Sequence, residues 1–190
     1  KFADLKQSLN ISNDNFIRTT DASHKAAAQA IWNKCLQKGD IYKKTYKGLY
    51  CVGDEMFLRD SDLVNGRCPN HPNVDPVEIE EENYFFRLSA YSNQIKEAIE
   101  SDAYRVIPAS RRNEALAILK DGAKDISISR PKQKMSWGIP VPGDESQVMY
   151  VWFEALMNHI TVLGYPEHQD FKKFWPATVQ VIGKDINKFH

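Results

Sequence analysis

With 190 residues, 42% of them apolar and 26% charged, the chain can bury one substantial core and has the make-up of an ordinary soluble globular protein. Twenty-five Lys and Arg balance 25 Asp and Glu, so bulk charge points to no nucleic-acid or membrane partner and confines any such contact to local patches. No apolar run has membrane-span length, no signal-peptide pattern is present, and three Cys without secretory features indicate a reducing, cytoplasmic compartment rather than a disulfide framework.

In chain order, Phe2 to Leu9 reads as the tail of a helix already under way before Lys1, the mark of a fragment. Phe16 to Thr20 is a short β-prone run. Asp21 then caps a helix through Lys38, with Ala27, Ile31 and Cys35 on its buried side and Gly39 as its stop. Cys35 reads as a small buried hydrophobe rather than a reactive thiol. From Ile41 to Glu82 short strand-like pieces, Tyr46 to Val52 and Glu55 to Leu58, are broken by Gly, Asn and Pro. Helical periodicity returns at Tyr84 to Ser101 and at Ser110 to Lys120, the latter capped by Ser110 and ended by Gly122. Asp125 to Arg130 alternates like a strand, and a Pro- and Gly-rich loop spans Trp137 to Gly143. Strand Val148 to Val151 leads into helix Phe153 to Gly164. A final apolar strand, Thr178 to Ile182, breaks off in Gly183-Lys184-Asp185, where a helix begins. In an open parallel sheet ligands bind beyond the carboxyl ends of strands, and a Lys and an Asp there can face a phosphate and a ribose. The C-terminal third thus reads as the βαβ part and the middle as an insertion, with no internal repeat.

Cys51-x2-Asp54 and Cys68-x2-His71 form two knuckle-like pairs. Structural zinc takes four ligands in a tetrahedron, and two pairs on tight turns supply that geometry, although Asp is a rarer ligand than Cys or His. Bound metal would also supply folding energy to a region poor in apolar residues. The plainer alternative is two buried thiols and a surface His71. In the helix after Tyr150, residues Trp152, Ala155, Leu156 and His159 fall on one face, while Phe153, Met157 and Ile160 line another. Such a stripe is what a core helix shows. A Trp and a His on it have polar tips that need partners, which favours a pocket for a medium-sized apolar ligand with a polar head. Ile186 and His190, four apart at the second helix start, offer the same pairing of apolar residue and imidazole. Arg130 at a strand end either neutralises phosphate or carboxylate charge or is a solvated loop residue. Lys43-Lys44 and Arg111-Arg112 read as solvated faces.

Taken together, the sequence resembles the bacterial-type methionyl-tRNA synthetases, which are class I aminoacyl-tRNA synthetases. The resemblance covers essentially the whole chain. It rests on eight segments in order: Asp14-Asn-Phe-Ile-Arg-Thr-Thr-Asp21, Lys38-Gly-Asp-Ile-Tyr42, Gly48-Leu-Tyr-Cys51, Glu82-Asn-Tyr-Phe-Phe-Arg-Leu-Ser89, Ile128-Ser-Arg130, Trp137-Gly-Ile-Pro-Val-Pro142, Tyr150-Val-Trp-Phe-Glu-Ala-Leu156 and Ile182-Gly-Lys-Asp-Ile186.

The resemblance implies an α/β fold, a partial Rossmann-like catalytic domain interrupted by a connective-peptide α+β domain with a zinc-knuckle-like subregion. Residues 1–40 would belong to the catalytic domain, 41–126 to the insertion (knuckle at 48–76) and 127–190 to the second half of the catalytic domain. It implies a ligase of protein biosynthesis that activates methionine with ATP and Mg to methionyl-adenylate, then passes the methionyl group to methionine tRNA. By position, Trp152, Ala155, Leu156, His159, Ile186 and His190 would form the methionine pocket. Gly183 and Asp185 would hold the adenosine ribose, Lys184 and Arg130 would stabilise phosphate charge, and Cys51, Asp54, Cys68 and His71 would hold zinc. The chain departs from the family at His159, where Tyr is usual, and at Asp54, where zinc-bearing members carry Cys. The His-Ile-Gly-His and Lys-Met-Ser-Lys-Ser motifs are absent; Lys134-Met-Ser136 lies in the wrong place for the second. A catalytically incomplete fragment is therefore expected. The alternative is a stand-alone tRNA- or protein-binding module derived from the same fold.

Overall fold

Helix α1 (Leu5–Ser8) is followed by extended chain and then by α2 (Ala22–Lys38), which starts after an extended Asp21. The structure, a computed structural model, describes residues 4–54, 56–58 and 62–189, and of residues 56, 185, 188 and 189 the backbone alone. Asp21 holds the turn before α2, its Oδ2 accepting from the Arg18 amide at 2.9 Å rather than capping the helix. Gly39 ends the helix as expected, in the left-handed conformation at φ 82° that only Gly adopts without cost. The deepest line on α2 is His24, Ala28 and Trp32, all fully buried, with Ile31 and Cys35 packed beside it. Burial pushes the Cys35 thiol up, which suits the inert role expected of it.

Two long strands, β1 (Ile41–Cys51) and β3 (Val77–Phe86), pair antiparallel from Ile41 opposite Phe86 to Tyr50 opposite Val77. Strand β2 (Met56–Leu58) extends this sheet on the β1 side and β4 (Ile126–Ser127) on the β3 side. A second, three-stranded antiparallel sheet is made by β5 (Ser129–Pro131), β6 (Pro140–Val141) and β7 (Asp144–Met149), with β7 in the centre. The expected strand Asp125 to Arg130 therefore divides at the fully buried Ile128 and serves both sheets. Ile128 fastens the seam, donating its N–H to Tyr84 O and accepting from Tyr150 N, each at 2.8 Å. Ser129 Oγ accepts from the Tyr84 amide and donates to Gln147, whose amide reaches Glu82 O at 2.8 Å.

Helices α3 (Ser92–Glu100) and α4 (Ala109–Ile118) follow β3. The helix expected from Tyr84 begins only at Ser92, after a 3-10 turn at Leu88–Tyr91, because Tyr84, Phe85 and Phe86 close the ladder opposite Lys43, Tyr42 and Ile41. Their aromatic side chains suit a half-buried pleated surface better than a helix. The position before α4 is Pro108, not Ser110, which lies inside the helix. Phe16 to Thr20 forms no strand, and Phe16 is exposed. Helix α5 (Val151–Leu156), starting two residues earlier than expected, and α6 (Asn158–Thr161) replace one continuous helix; α7 (Gln169–Phe174) comes after.

The main core joins Ala28 and Trp32 of α2 to Ile41, Ile128, Ile139, Val141, Met149 and Met157. Trp32 meets Tyr84 and Phe153 edge-on, at centroid separations of 5.4 and 5.6 Å. All strand pairs among the described residues are antiparallel, so the parallel arrangement expected of the C-terminal part is not formed within these residues. Thr178 to Ile182 is not part of either sheet: Val179 and Val181 stand 75% and 92% exposed. A strand needs a neighbour to take its N–H and C=O groups, and among the described residues no strand pairs with this run. Lys184–Phe189 winds as a 3-10 turn rather than an α-helix.

Candidate pocket helix and metal centre

The helix α5–α6 is interrupted at Met157 by its own side chains and by tightened backbone bonds. The Met157 amide donates to Glu154 O and the Ile160 amide to Met157 O, three residues back in each case. The Asn158 amide donates to Ala155 O at 2.5 Å, taking a carbonyl that a continuous helix would use itself. Around this kinked rod the fully buried positions are Glu154, Met157 and Thr161. Trp152, Ala155, Leu156 and His159 are brought together on the opposite side and are only half-buried. The core takes Met157, with Phe153 against it, and leaves the Trp152 face only half-buried.

Arg130, on β5, lies at the start of this helix. Its guanidinium stacks over the ring of Tyr150, the residue that precedes α5, with 4.1 Å from Cζ to the centroid. Nη1 donates to Ser127 Oγ at 2.9 Å and to Ser129 O at 2.8 Å. These acceptors are neutral, and among the described residues no carboxylate hydrogen-bonds to the cation; burial pulls its pKa below the usual Arg value, with Tyr150 and Glu81 opposing. This is a placed residue, not a solvated one. Gly183 and Lys184 are exposed and Ile186 is half-buried, on a turn whose Asn187 donates to Arg111 O in α4 at 3.4 Å. The side chain of Asp185, and His190 altogether, lie outside the described residues.

Sequence reasoning missed the polar group behind the pocket helix. His24 of α2 is fully buried, with Nε2 2.8 Å from Glu154 Oε2 and Nδ1 2.8 Å from Thr161 Oγ1. Burial raises the Glu154 carboxyl and the His24 contact opposes that rise. The available signal was His24 itself, a polar residue three before Ala27 and seven before Ile31 on the helix face predicted to be buried.

The four knuckle residues do come together. One ligand atom from each of Cys51, Asp54, Cys68 and His71 lies within 4.8 Å of all the others. Cys51 Sγ is 3.4 Å and Cys68 Sγ 4.0 Å from His71 Nδ1, and Cys68 Sγ donates to Asp54 Oδ2 at 2.8 Å. Sequence spacing read this site correctly as a cluster. Cys51, Leu58 and Cys68 form a small satellite core, with Leu63 against it. Gly53 lets the imidazole in, for a Cβ there would sit 2.4 Å from His71 Nε2. Hydrogen bonds from Cys68 and Asn70 hold the Asp54 carboxyl below its ordinary value; the same Asp54 contact, with burial, pushes the Cys68 thiol up. Two sulfurs, one imidazole and one carboxylate at this spacing are a chemically adequate donor set for a zinc-sized ion.

The chain matches the family model described as tRNA synthetases class I (M) over residues 1–76 and 72–190. It is 47% identical over 193 residues to the methionine–tRNA ligase of Brucella suis biovar 1, and 49% identical over 191 residues to that of Clostridium perfringens. These alignments take in 100% and 98% of this chain, but 37% and 29% of the relatives. The chain therefore spans about a third of the length of the curated relatives it matches. A crystal structure of the Mycobacterium tuberculosis methionyl-tRNA synthetase bound by methionyl-adenylate is similar over 100% of this chain and 38% of its own, with TM-score 0.86 at 39% identity. Among the described residues no helix is long and apolar enough to cross a membrane. An unbroken match of this kind, on a fold with mixed helices and sheets, places the chain in the methionyl branch of the class I tRNA synthetases.

Proposed function

We propose that these residues are the central part of a methionine–tRNA ligase, which joins methionine to ATP as methionyl-adenylate and passes the methionyl group to methionine tRNA in the cytoplasm. The observation that carries this reading is the whole-chain likeness to a synthetase seen with methionyl-adenylate. Residues 1–40 and 127–190 belong to the catalytic domain, and 41–126 form a connective-peptide insertion between them. Trp152, Ala155, Leu156 and His159 line the methionine pocket together with Ile186 and His190. Their half-buried positions support this, since apolar side chains on one helix face, neither sunk in the core nor fully exposed, can line a ligand cavity. A flexible, polarisable thioether suits such a surface. Arg130 supplies positive charge to the phosphate oxygens as pyrophosphate leaves, and its neutral hydrogen-bond acceptors leave that charge available. Lys184 shares that task, and Gly183 and Asp185 hold the ribose.

Cys51, Asp54, Cys68 and His71 hold a structural zinc, whose contribution is to fix the knuckle rather than to take part in the reaction. Methionine-dependent ATP–pyrophosphate exchange by the full-length protein tests the functional reading. Exchange driven by a different amino acid, or none at all, overturns it. The 190 residues alone are expected to give no exchange above background.

A further inference from the structure

The pocket helix is not one rigid rod. It is two short segments, α5 and α6, meeting at Met157, and the methionine face proposed above takes Trp152, Ala155 and Leu156 from one and His159 from the other. Some contact must fix how the two segments are rotated about each other. At the junction the Met157 and Ile160 amides bond three residues back, the Thr161 amide bonds four back to Met157 O, and Ala155 O also takes the Asn158 side chain, so the backbone link is mixed rather than a regular helical ladder.

From this geometry we infer that His24 is a positioning residue for the amino-acid pocket: one imidazole binds Glu154 on α5 and Thr161 on α6, and so sets the rotational register of the two segments. The inference rests on the pocket assigned above. Glu154 and Thr161 are seven apart and point the same way, away from the Trp152 face. His24 spans the junction with one ring nitrogen on each side, at 2.8 Å to both partners. The carboxylate accepts only, so Nε2–H donates to it; with the ring neutral, Nδ1 then accepts the Thr161 hydroxyl proton. All three groups are sealed from water, at 0%, 5% and 4% exposure, which makes a misdirected bond costly and the register well defined. The histidine is itself anchored, since α2 carries Ala28 and Trp32 into the main core. A purely space-filling role would need no polar atoms here, and an apolar trio would pack the same volume without fixing an angle.

Thr161→Val keeps the side-chain shape and deletes only the hydroxyl, while Thr161→Ser keeps the hydroxyl. In the full-length protein, Thr161→Val is expected to raise the methionine KM about tenfold, the scale of one lost buried hydrogen bond. The ATP KM should stay near wild type at temperatures where the variant is fully folded, and Thr161→Ser should restore the methionine KM. His24→Ala should give a loss at least as large; if it fails to fold, the Thr161 pair still decides the matter. An unchanged methionine KM in Thr161→Val, or a fall in every parameter in step with the folded fraction, overturns the inference. A wild-type protein without methionine-dependent exchange defeats the functional reading instead. Amide exchange at Ile160 and Thr161, whose N–H groups bond to Met157 O, then decides on the clamp: faster exchange in Thr161→Val upholds it and unchanged exchange refutes it.

Discussion

Asp144 shows how far one surface-looking residue can be committed to the fold. Its carboxylate accepts from Ser146 Oγ at 2.5 Å, from Lys43 Nζ at 3.1 Å and from Tyr84 OH at 3.1 Å, and so ties β7 to both long strands. The Ser146 bond, then Lys43 and Tyr84, draw its pKa down to about 2 against the opposing effect of burial. Lys43 is held up in turn by Glu82 and Asp144. Because the folded carboxyl binds its proton less readily than the unfolded one, the stabilisation is complete above the ordinary carboxylate value and is lost as pH falls toward 2. Asp144→Asn should therefore be less stable than wild type by about 1–2 kcal/mol near neutral pH. Urea unfolding should show that gap closing between roughly pH 4 and pH 2. A gap that stays constant across this window would show that the carboxylate charge is not what matters. The Lys43-Lys44 pair reads in sequence as a solvated face, because nothing local announces that Lys43 meets a residue 101 positions later.

At the level of elements, legibility followed the range of the interaction that fixes each one. Helix α2 and its Gly39 stop were readable because caps and periodicity are local, and the cluster of Cys51, Asp54, Cys68 and His71 because it comes as two tight sequence pairs. Strand β3 was hidden because its inward positions include Glu81 and Asn83, so apolar alternation is broken by buried polar residues. Glu81 is paired there with Lys134 and accepts from Asn83 Nδ2 at 3.1 Å. His24 was missed for the same reason: its partners lie 130 and 137 residues away. The knuckle makes a sharp test of close packing. Gly53→Ala puts a methyl 2.4 Å from His71 Nε2 and 2.6 Å from its two neighbouring carbons, closer than any real contact, so the ring must leave. Cobalt(II) added to the wild-type protein should give thiolate charge-transfer and tetrahedral d–d bands. Gly53→Ala should bind at least about tenfold more weakly, as when a ligand loses its orientation. Equal titrations for the two proteins would remove His71 from the ligand set.

Over the whole molecule, the described sheets are antiparallel, and an apolar segment near the C-terminal end of the described residues faces out. Val179 and Val181 are among its most exposed large apolar residues, in a run of β-branched character that neither sheet takes up. Tyr104 OH donating to Gln180 Oε1 at 3.4 Å is a polar tether to this run, not a ladder. An isolated β-prone segment has every backbone group unpaired on both sides and no reason to persist in that state. The relatives are nearly three times as long as the stretch matched here, so the completing strands are expected from residues beyond this chain. Amide hydrogen exchange distinguishes the two situations. In the 190 residues alone, the amides of Val179 to Ile182 should exchange at nearly the rate of an unfolded peptide. In the full-length protein the same amides should be protected by about a thousandfold or more, as for strands that open only with global unfolding. Slow exchange in the short chain would mean that the segment finds a partner within it, and fast exchange in the long one that it is a surface loop. Either result would count against the proposal that this run joins a sheet and presents Gly183 and Lys184 to a nucleotide.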